Sequence, residues 1–334
     1  MRCFSPLVMS DALGAAEKRS RTARVAGVFW GASKVASRLA YPALLVGSAV
    51  LAVGPLMVRL ASVGPMQSAF WRLAVAVIPL MLLVRFLPSQ RITVKSGGAH
   101  GGRVLWGGVA LAGVFFASDL LAWHLGIVRT SLANASLFSN MAGFLMMAWG
   151  ILVLRMRPTP RQVGVMLVAV VGALCLFGAS AELSMRHLAG DVLCLLSAVF
   201  YAGYLLAIGK ARGTLPSLAV LAGSTIAGSV ALLPVVLLSP DPLLPSTAEG
   251  WLPLIALGLG SQVLGQGLIV YALAHLPPAV SGVGLLMQPV VAGIIGWTMF
   301  NEIMGPLELF GSVLILAALV SQSLPARPAR PPAE

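Results

Sequence analysis

Residues 131–164 read SLANASLFSNMAGFLMMAWGILVLRMRPTPRQVG, an apolar run long enough for one membrane-spanning helix. The run ends at three arginines: Arg155, Arg157 and Arg161. A second stretch of the same shape, PAVSGVGLLMQPVVAGIIGWTMFNEIMGPLELFG, begins 147 residues later at residue 278. It carries Glu302 where the first stretch has its arginines. The chain therefore repeats one pattern with the opposite charge at its end.

Composition identifies the class of protein to which this repeat belongs. Of the 334 residues, 58% are hydrophobic and only 10% are charged, whereas about 25% are charged in soluble domains. The sequence therefore predicts an all-α polytopic membrane protein. The net charge of +12 reflects membrane topology rather than a nucleic-acid partner, because cytoplasmic loops of membrane proteins collect Lys and Arg.

Ten segments have the length and apolar character of membrane-spanning helices, which need about 20 residues each. Gly/Pro-rich or charged stretches separate them. The predicted segments run approximately over 42–60, 66–86, 104–127, 132–154, 160–179, 189–209, 216–238, 250–274, 279–300 and 306–324.

The distribution of basic residues predicts the orientation of these segments. With the first tail in the cytoplasm, 18 of the 22 Lys and Arg residues fall on the cytoplasmic side. Only Arg59, Arg129 and Arg186 fall outside, and Arg72 lies within a helix. Such a bias is the usual mark of cytoplasmic loops, so we expect both termini in the cytoplasm.

Five helices per half is an odd number, so the second half enters the membrane inverted relative to the first. Inverted repeats are a common transporter architecture, with the binding site at the repeat interface. We expect a basic tail over 1–41, five-helix repeats over 42–179 and 180–324, and a short tail over 325–334. The opposite charges at Arg155 and Glu302 then mark opposite sides of the membrane.

Several motifs resemble the drug/metabolite transporter superfamily, and specifically its EamA-type branch of ten-helix carriers. The second repeat is similar to the family pattern of a helix proline, a glutamate turn and a glycine-containing helix at Pro289, Glu302 and Gly311. The first repeat matches through FWRLAVAV at 70–77, IVRTSLANASLFS at 127–139 and TPRQVG at 159–164. It departs where the family's glutamate is expected, since the chain has Arg155 or Met156 there, and Ala142 or Gly143 at the proline position.

The resemblance implies a secondary transporter of a small organic solute such as an amino acid, another metabolite or a drug, most often an exporter. It also implies that Glu302, Pro289 and Gly311 build a structural turn. Alternating access around a central cavity would move the solute, with proton coupling as one option. The Ala-, Gly-, Leu- and Arg-rich composition is typical of a bacterial inner membrane protein.

Two ionisable residues lie within the predicted helices. Arg72 and Asp119 would sit about 9 and 12 Å below the outer surface at 1.5 Å per residue. Each such side chain costs at least about 2.5 kcal/mol to insert and needs a partner or water. They could form a structural ion pair, Arg72 could tune a substrate-facing or titratable Asp119, or Arg72 could snorkel to the interface.

Trp123 follows Asp119 by one helical turn and so shares its face. An indole beside a carboxylate suits a cavity for organic cations or zwitterions. A Trp at the membrane interface is the simpler alternative, and we expect an interfacial His124.

Gln262 and Gln266 share one face of the eighth predicted helix. With the offset of 147, Gln266 corresponds to Asp119, so the two positions form a polar stripe at related sites in both repeats. This stripe is the leading substrate-site hypothesis. Hydrogen bonding between helices, worth about 0.6–2 kcal/mol per contact, is the alternative.

Three further polar or aromatic residues are candidates for lining the cavity. Asn140 and Gln288 lie among small residues in the fourth and ninth predicted helices, and Tyr201 shares a face with Tyr204 in the sixth. Ordinary helix packing is the simpler explanation for each of them.

No motif for catalysis or for a cofactor is present in the sequence. It contains no P-loop, no HExxH, no GxSxG and no His/Cys pair at metal spacing. The sequence therefore predicts no enzyme activity and no cofactor, with solute and membrane lipid as its partners. A membrane scaffold without transport activity, or a lipid-acting enzyme, is the alternative class.

Overall fold

The computed structural model is helical throughout the residues it describes, which are 39–87, 98–153, 155, 158–209, 215–276, 285 and 287–323. Both predicted tails lie almost wholly outside these ranges. So do several of the basic loop residues used to predict the orientation: Arg91, Lys95, Arg157, Lys210 and Arg212.

Thirteen α-helices and one π-helix follow each other along the described chain. The α-helices are α1 (Ala40–Ala52), α2 (Gly54–Leu60), α3 (Pro65–Phe86), α4 (Gly98–Ile127), α5 (Leu132–Ser139), α6 (Ala142–Leu152), α7 (Pro160–Leu183), α8 (Met185–Gly209), α9 (Ser217–Leu237), α10 (Trp251–Ile255), α11 (Gln266–His275), α12 (Met287–Phe300) and α13 (Pro306–Ser323). The π-helix, Ala256–Gly265, joins α10 to α11.

Eight helices in the described residues are long and apolar enough to cross a membrane, counting α1–α2, α5–α6 and α10–α11 as single spans. Two shorter apolar helices, α12 and α13, follow them. Residues 277–284 precede α12 and lie outside the described chain, so the ninth predicted segment is seen only in part. The chain is a multi-pass membrane protein.

Three of the spans are interrupted, each for a local reason. Pro55 has no N–H to donate, and the break between α1 and α2 lies just before it at Val53. Asn140 and Met141 separate α5 from α6 through a tightened turn in which Met141 N donates to Phe138 O at 3.0 Å. The π-helix has wider turns, and such segments occur often at functional sites.

Helices from the two halves of the chain are interleaved rather than packed as two separate bundles. In each half the third span lies against the first span of the other half, as α4 does against α8 and α11 against α1. The second spans, α3 and α9, also pack together, as do the last helices, α7 and α13. The largest apolar cluster accordingly draws on both halves, from Val58 to Leu319.

The starts of the last helices in the two halves correspond closely. Both α7 and α13 have proline as their first residue, Pro160 and Pro306, which suits a position with no N–H partner in the helix. Gln162 completes a capping box in α7, and Glu308 occupies the corresponding position of α13. Pro160 and Pro306 are 146 residues apart, as are Gln162 and Glu308. The offset between the two halves is therefore 146 residues at these helices, one fewer than the 147 used for the sequence.

The turns before these two helices also correspond. Arg155 and Asn301 both have positive φ, at 52° and 54°, the left-handed conformation that commonly ends a helix. They too are 146 residues apart. Of the three residues expected to build the structural turn, only Glu302 lies in the turn itself, because Pro289 belongs to α12 and Gly311 lies inside α13.

Gly311 instead allows α7 and α13 to approach closely. A Cβ atom at Gly311 would lie 2.8 Å from the backbone oxygen of Gly172 and 2.9 Å from the Cβ of Cys175. Small residues at such crossings let membrane helices pack backbone to backbone. Gly311 is therefore a packing residue.

We expect Gly311→Val to destabilise the protein by about 1–3 kcal/mol, because the added carbons meet the backbone of α7. Thermal unfolding in detergent measures the loss as a lower melting temperature. Gly164→Val in α7 is the matched control, since nothing lies within 4 Å of a Cβ there. Equal melting temperatures for the two variants would contradict the close contact.

Candidate functional site

Four side chains from both halves of the chain form a central polar cluster: Arg72, Asp119, Trp123 and Gln262. Arg72 lies in α3, Asp119 and Trp123 in α4, and Gln262 in the π-helix. Arg72 is 5% exposed, Asp119 8% and Gln262 0%. Because buried ionisable groups are costly in a membrane and usually functional, this cluster is the leading candidate site.

Arg72 connects the two halves within this cluster. Its Nε donates to Gln262 Oε1 at 3.4 Å, and its guanidinium carbon lies 5.4 Å from the centre of the Trp123 ring. That distance is within the range of a cation–π interaction. Gln262 in turn donates from Nε2 to Thr225 Oγ1 in α9 at 3.2 Å.

Asp119 has a different partner from the one the sequence suggests. It accepts a hydrogen bond from Ser197 Oγ of α8 at 2.5 Å. Of the alternatives for Arg72, the direct ion pair is not formed, and the buried side chain does not favour snorkelling. The ion pair found among the residues that the structure describes is Arg59–Glu302.

Trp123 and His124 each leave a polar atom without a partner in the described chain. Trp123 Nε1 and His124 Nε2 are both buried and make no hydrogen bond there. His124 is 0% exposed, with Nδ1 2.8 Å from Ser68 Oγ. A buried unpaired polar group costs about 1–3 kcal/mol, and these atoms are available to a ligand.

Tyr201 and Gln266 extend the site along two helices. Tyr201 stacks on Tyr204 with ring centres 5.6 Å apart, and Tyr204 stacks on Phe116 at 5.0 Å. Tyr201 contacts both of the largest apolar clusters. Gln266 is buried at the start of α11, just after the π-helix that carries Gln262.

Asn140 and Gln288 lie in other settings. Asn140 ends α5 and donates from Nδ2 to Ser136 O at 2.8 Å, a local bond at the break in the span. Gln288 is half-buried in the first turn of α12. The structure thus links Arg72, Trp123 and Gln262, and leaves these two residues as separate candidates.

Ser197 and Thr225 are members of the site that sequence reasoning missed. Ser197 holds Asp119 and Thr225 holds Gln262. A single Ser or Thr in an apolar helix usually bonds its own backbone. Nothing in the sequence therefore indicated that these two residues bond Asp119 and Gln262.

A second polar arrangement closes one end of the bundle, where residues 127–132 connect α4 to α5. We call residues 127–132 the corner. Arg59 Nη1 pairs with Glu302 Oε1 at 2.5 Å. The same guanidinium donates from Nη2 to Thr130 O at 2.5 Å and from Nε to Ile127 O at 3.2 Å. Glu302 Oε2 accepts from the backbone N–H of Leu132 at 2.9 Å. Arg59 is therefore another functional candidate that sequence reasoning missed.

Two cavities in the described chain lie beside this corner rather than around Asp119. One, of about 130 Å³, is bounded by residues of the corner, α5, α8, α12 and α13, including Asn134, His187 and Glu308. The other, of about 370 Å³, is a mostly apolar groove between α5, α12 and α13 that includes Trp297 and Met304.

Comparisons with known proteins identify the family and the fold. Residues 188–323 match the EamA-like transporter family. The pseudopaline exporter CntI of Pseudomonas aeruginosa, from two strains, is 30% identical over 212 residues, which are 63% of this chain and 72% of the exporter. A crystal structure with 17% sequence identity superposes with a TM-score of 0.57 over 84% of this chain and 96% of its own. At that identity the likeness is one of fold.

The Arg59–Glu302 pair predicts a measurable coupling. We expect Arg59→Ala and Glu302→Ala each to destabilise the protein by about 1–3 kcal/mol, because each leaves the other charge and its hydrogen-bond partners unsatisfied. The double variant should lose less than the sum, with a coupling on the order of 0.5–3 kcal/mol. Thermal unfolding of all four proteins measures it.

Glu249→Ala is the control for this cycle, since Glu249 is exposed in a loop. Its melting temperature should equal that of the wild type. Strictly additive losses at Arg59 and Glu302 would contradict the pairing.

Proposed function

Since the chain belongs to the EamA-like transporter family, we propose that this multi-pass membrane transporter exports a small organic solute by alternating access around the central polar cluster. The family and the exporter relative indicate a transporter rather than an enzyme. One observation carries the proposal. Arg72 of the first half and Gln262 of the second meet, buried, well inside their spans.

The proposed architecture is ten membrane helices in two inverted repeats, with both termini in the cytoplasm of a bacterial cell. The interleaved packing of first and third spans supports it, since the same contacts recur when the halves are exchanged. The repeated offset of 146 between helix starts supports it too. An odd number of helices per half then inverts the second repeat, as in other transporters with this symmetry.

The chemistry of the cluster favours solutes with both donors and acceptors. Asp119 supplies a carboxylate, Arg72 a guanidinium, and Trp123 Nε1 an unpaired donor. Amino acids and related zwitterionic metabolites present matching groups, and aromatic side chains such as Tyr201 accommodate their apolar parts. The name of the exporter relative supports outward movement.

The corner supplies a gate for alternating access. With Arg59 bound to Glu302 and to the backbone of residues 127–130, this end of the bundle is closed. The predicted orientation puts this end outside the cell. Release of the solute then requires the corner to separate from the turn that carries Glu302.

Substitution of Gln262 tests the role of the cluster. We expect Gln262→Leu to lower solute flux at least tenfold, because it removes the bonds to Arg72 and Thr225 from the site. Proteoliposomes are loaded with a mixture of amino acids and other small metabolites, and mass spectrometry measures the flux of each solute out of them. Thr298→Val is the matched control, since Thr298 is exposed and bonds Ile294 O of its own helix at 2.7 Å.

Undiminished flux in Gln262→Leu would remove the cluster from the transport path. Absence of flux of every solute in the wild type would overturn the transport proposal itself and favour a scaffold or a lipid-acting enzyme.

Substitution of Asp119 tests proton coupling. If proton entry drives export, acidifying the receiving side should accelerate wild-type flux, and Asp119→Asn should abolish this response because the amide does not titrate. Flux is measured at two values of the pH gradient. Asp241→Asn, in an exposed loop, should keep the wild-type response. Equal flux at both gradients in the wild type would identify a facilitator in which Asp119 has a structural role.

A further inference from the structure

The cavity of about 130 Å³ beside the corner is separate from the central polar cluster. Its volume corresponds to a few water molecules, at about 30 Å³ each in the liquid. Polar side chains from five different segments reach its wall: Ser131, Asn134, His187, Glu302 and Glu308. The cavity is thus large enough for one small polar group.

Three carboxylates lie at or next to this cavity, and two of them are fully engaged. Glu302 is held by Arg59 and by the N–H of Leu132. Asp191 lies behind the wall and accepts bonds from Thr130, from Ser180 Oγ at 2.5 Å and from Asn134 Nδ2 at 3.5 Å.

Glu308 has fewer partners. It is 5% exposed, and its carboxylate accepts hydrogen bonds from Ser131 Oγ at 3.2 Å and from the backbone N–H of Gly305, with no positively charged partner among these bonds. The nearby arginines, Arg129 and Arg186, donate instead to the backbone oxygens of Leu125 and Val128 and do not line the cavity. His187 is within hydrogen-bond distance of Ser184 Oγ, 2.8 Å from its Nδ1.

Asn134 provides an independent sign of a ligand. It is 1% exposed and lines the cavity, yet its Oδ1 has no hydrogen-bond partner among the described residues. Its Nδ2 is already used toward Ser180 and Asp191, so the orientation of the amide leaves the acceptor free. Leaving such an acceptor unsatisfied costs about 1–3 kcal/mol, which a ligand with N–H groups would recover.

We propose that this cavity binds a primary ammonium group, with Glu308, Asn134 Oδ1 and Ser131 Oγ as its acceptors. An ammonium group offers three N–H donors and one positive charge, and so matches one carboxylate and two neutral oxygens. Hard metal ions require six or more oxygen ligands, and the described residues contain no cluster of three His, Cys, Asp or Glu suited to a metal ion. A solute's amino group would bind here during export, and this role of the site rests on the proposed function.

Equilibrium binding of radiolabelled methylammonium to the purified full-length protein tests the site. We expect saturable binding that unlabelled methylammonium displaces. Tetramethylammonium, which has no N–H donor, should not displace the labelled probe, and neither should Na⁺. If Na⁺ or tetramethylammonium displaced the probe as effectively as unlabelled methylammonium, the proposal would be overturned, because the site would then recognise positive charge alone. This comparison uses the wild-type protein and needs no variant.

Variants then locate the bound probe. Glu308→Gln should weaken methylammonium binding at least tenfold, whereas Glu182→Gln, an exposed carboxylate at the end of α7, should leave it unchanged. Loss of binding in Asp119→Asn with retention in Glu308→Gln would move the probe to the central polar cluster and overturn the proposal.

Solute flux measured on the same preparations separates this inference from the proposed function. Flux without methylammonium binding would overturn the ammonium site alone. Methylammonium binding at Glu308 without flux of any solute would support the site and overturn the transport function.

Discussion

The ion pair between Arg59 and Glu302 ties together parts of the chain that are 243 residues apart. Arg59 ends the first span, and Glu302 lies in the turn between the last two helices. Between them the corner supplies two carbonyl oxygens to Arg59 and one N–H to Glu302. These backbone groups lie at helix ends, where no partner exists within the helix. One pair of charges, with one residue from each half, thus satisfies backbone groups where α4 meets α5.

The central polar cluster depends on the same interleaving of halves. Arg72 would lack its side-chain hydrogen bond in a bundle made of the first half alone, because its partner Gln262, held in turn by Thr225, belongs to the second. Asp119 likewise takes its hydrogen bond from Ser197 of the second half. Each half therefore completes the polar interactions of the other, and neither contains the site by itself.

The sequence predicts the helices well, because the length of an apolar run is a local property. It also identifies Arg72, Asp119 and Gln262 as buried candidates, since polar residues stand out among apolar ones. Their partners depend on which helices meet, and for that reason Ser197 and Arg59 escaped notice and the alternatives for Arg72 and Asp119 stayed open. The position of His124 beside Ser68 follows from tertiary packing in the same way.

The two ends of the bundle have become chemically unequal. At the offset of 146, the positions that correspond to Arg59 and Glu302 are Leu205 and Met156, which cannot form an ion pair. If the two halves of the proposed inverted repeat were identical, the states open to either side of the membrane would have equal free energies. The Arg59–Glu302 ion pair forms at one end only and makes these free energies unequal. The resting population then favours the state closed at the Glu302 end, and each 1.4 kcal/mol of difference shifts it about tenfold. A solute opens that end only to the extent that it binds the open state more tightly.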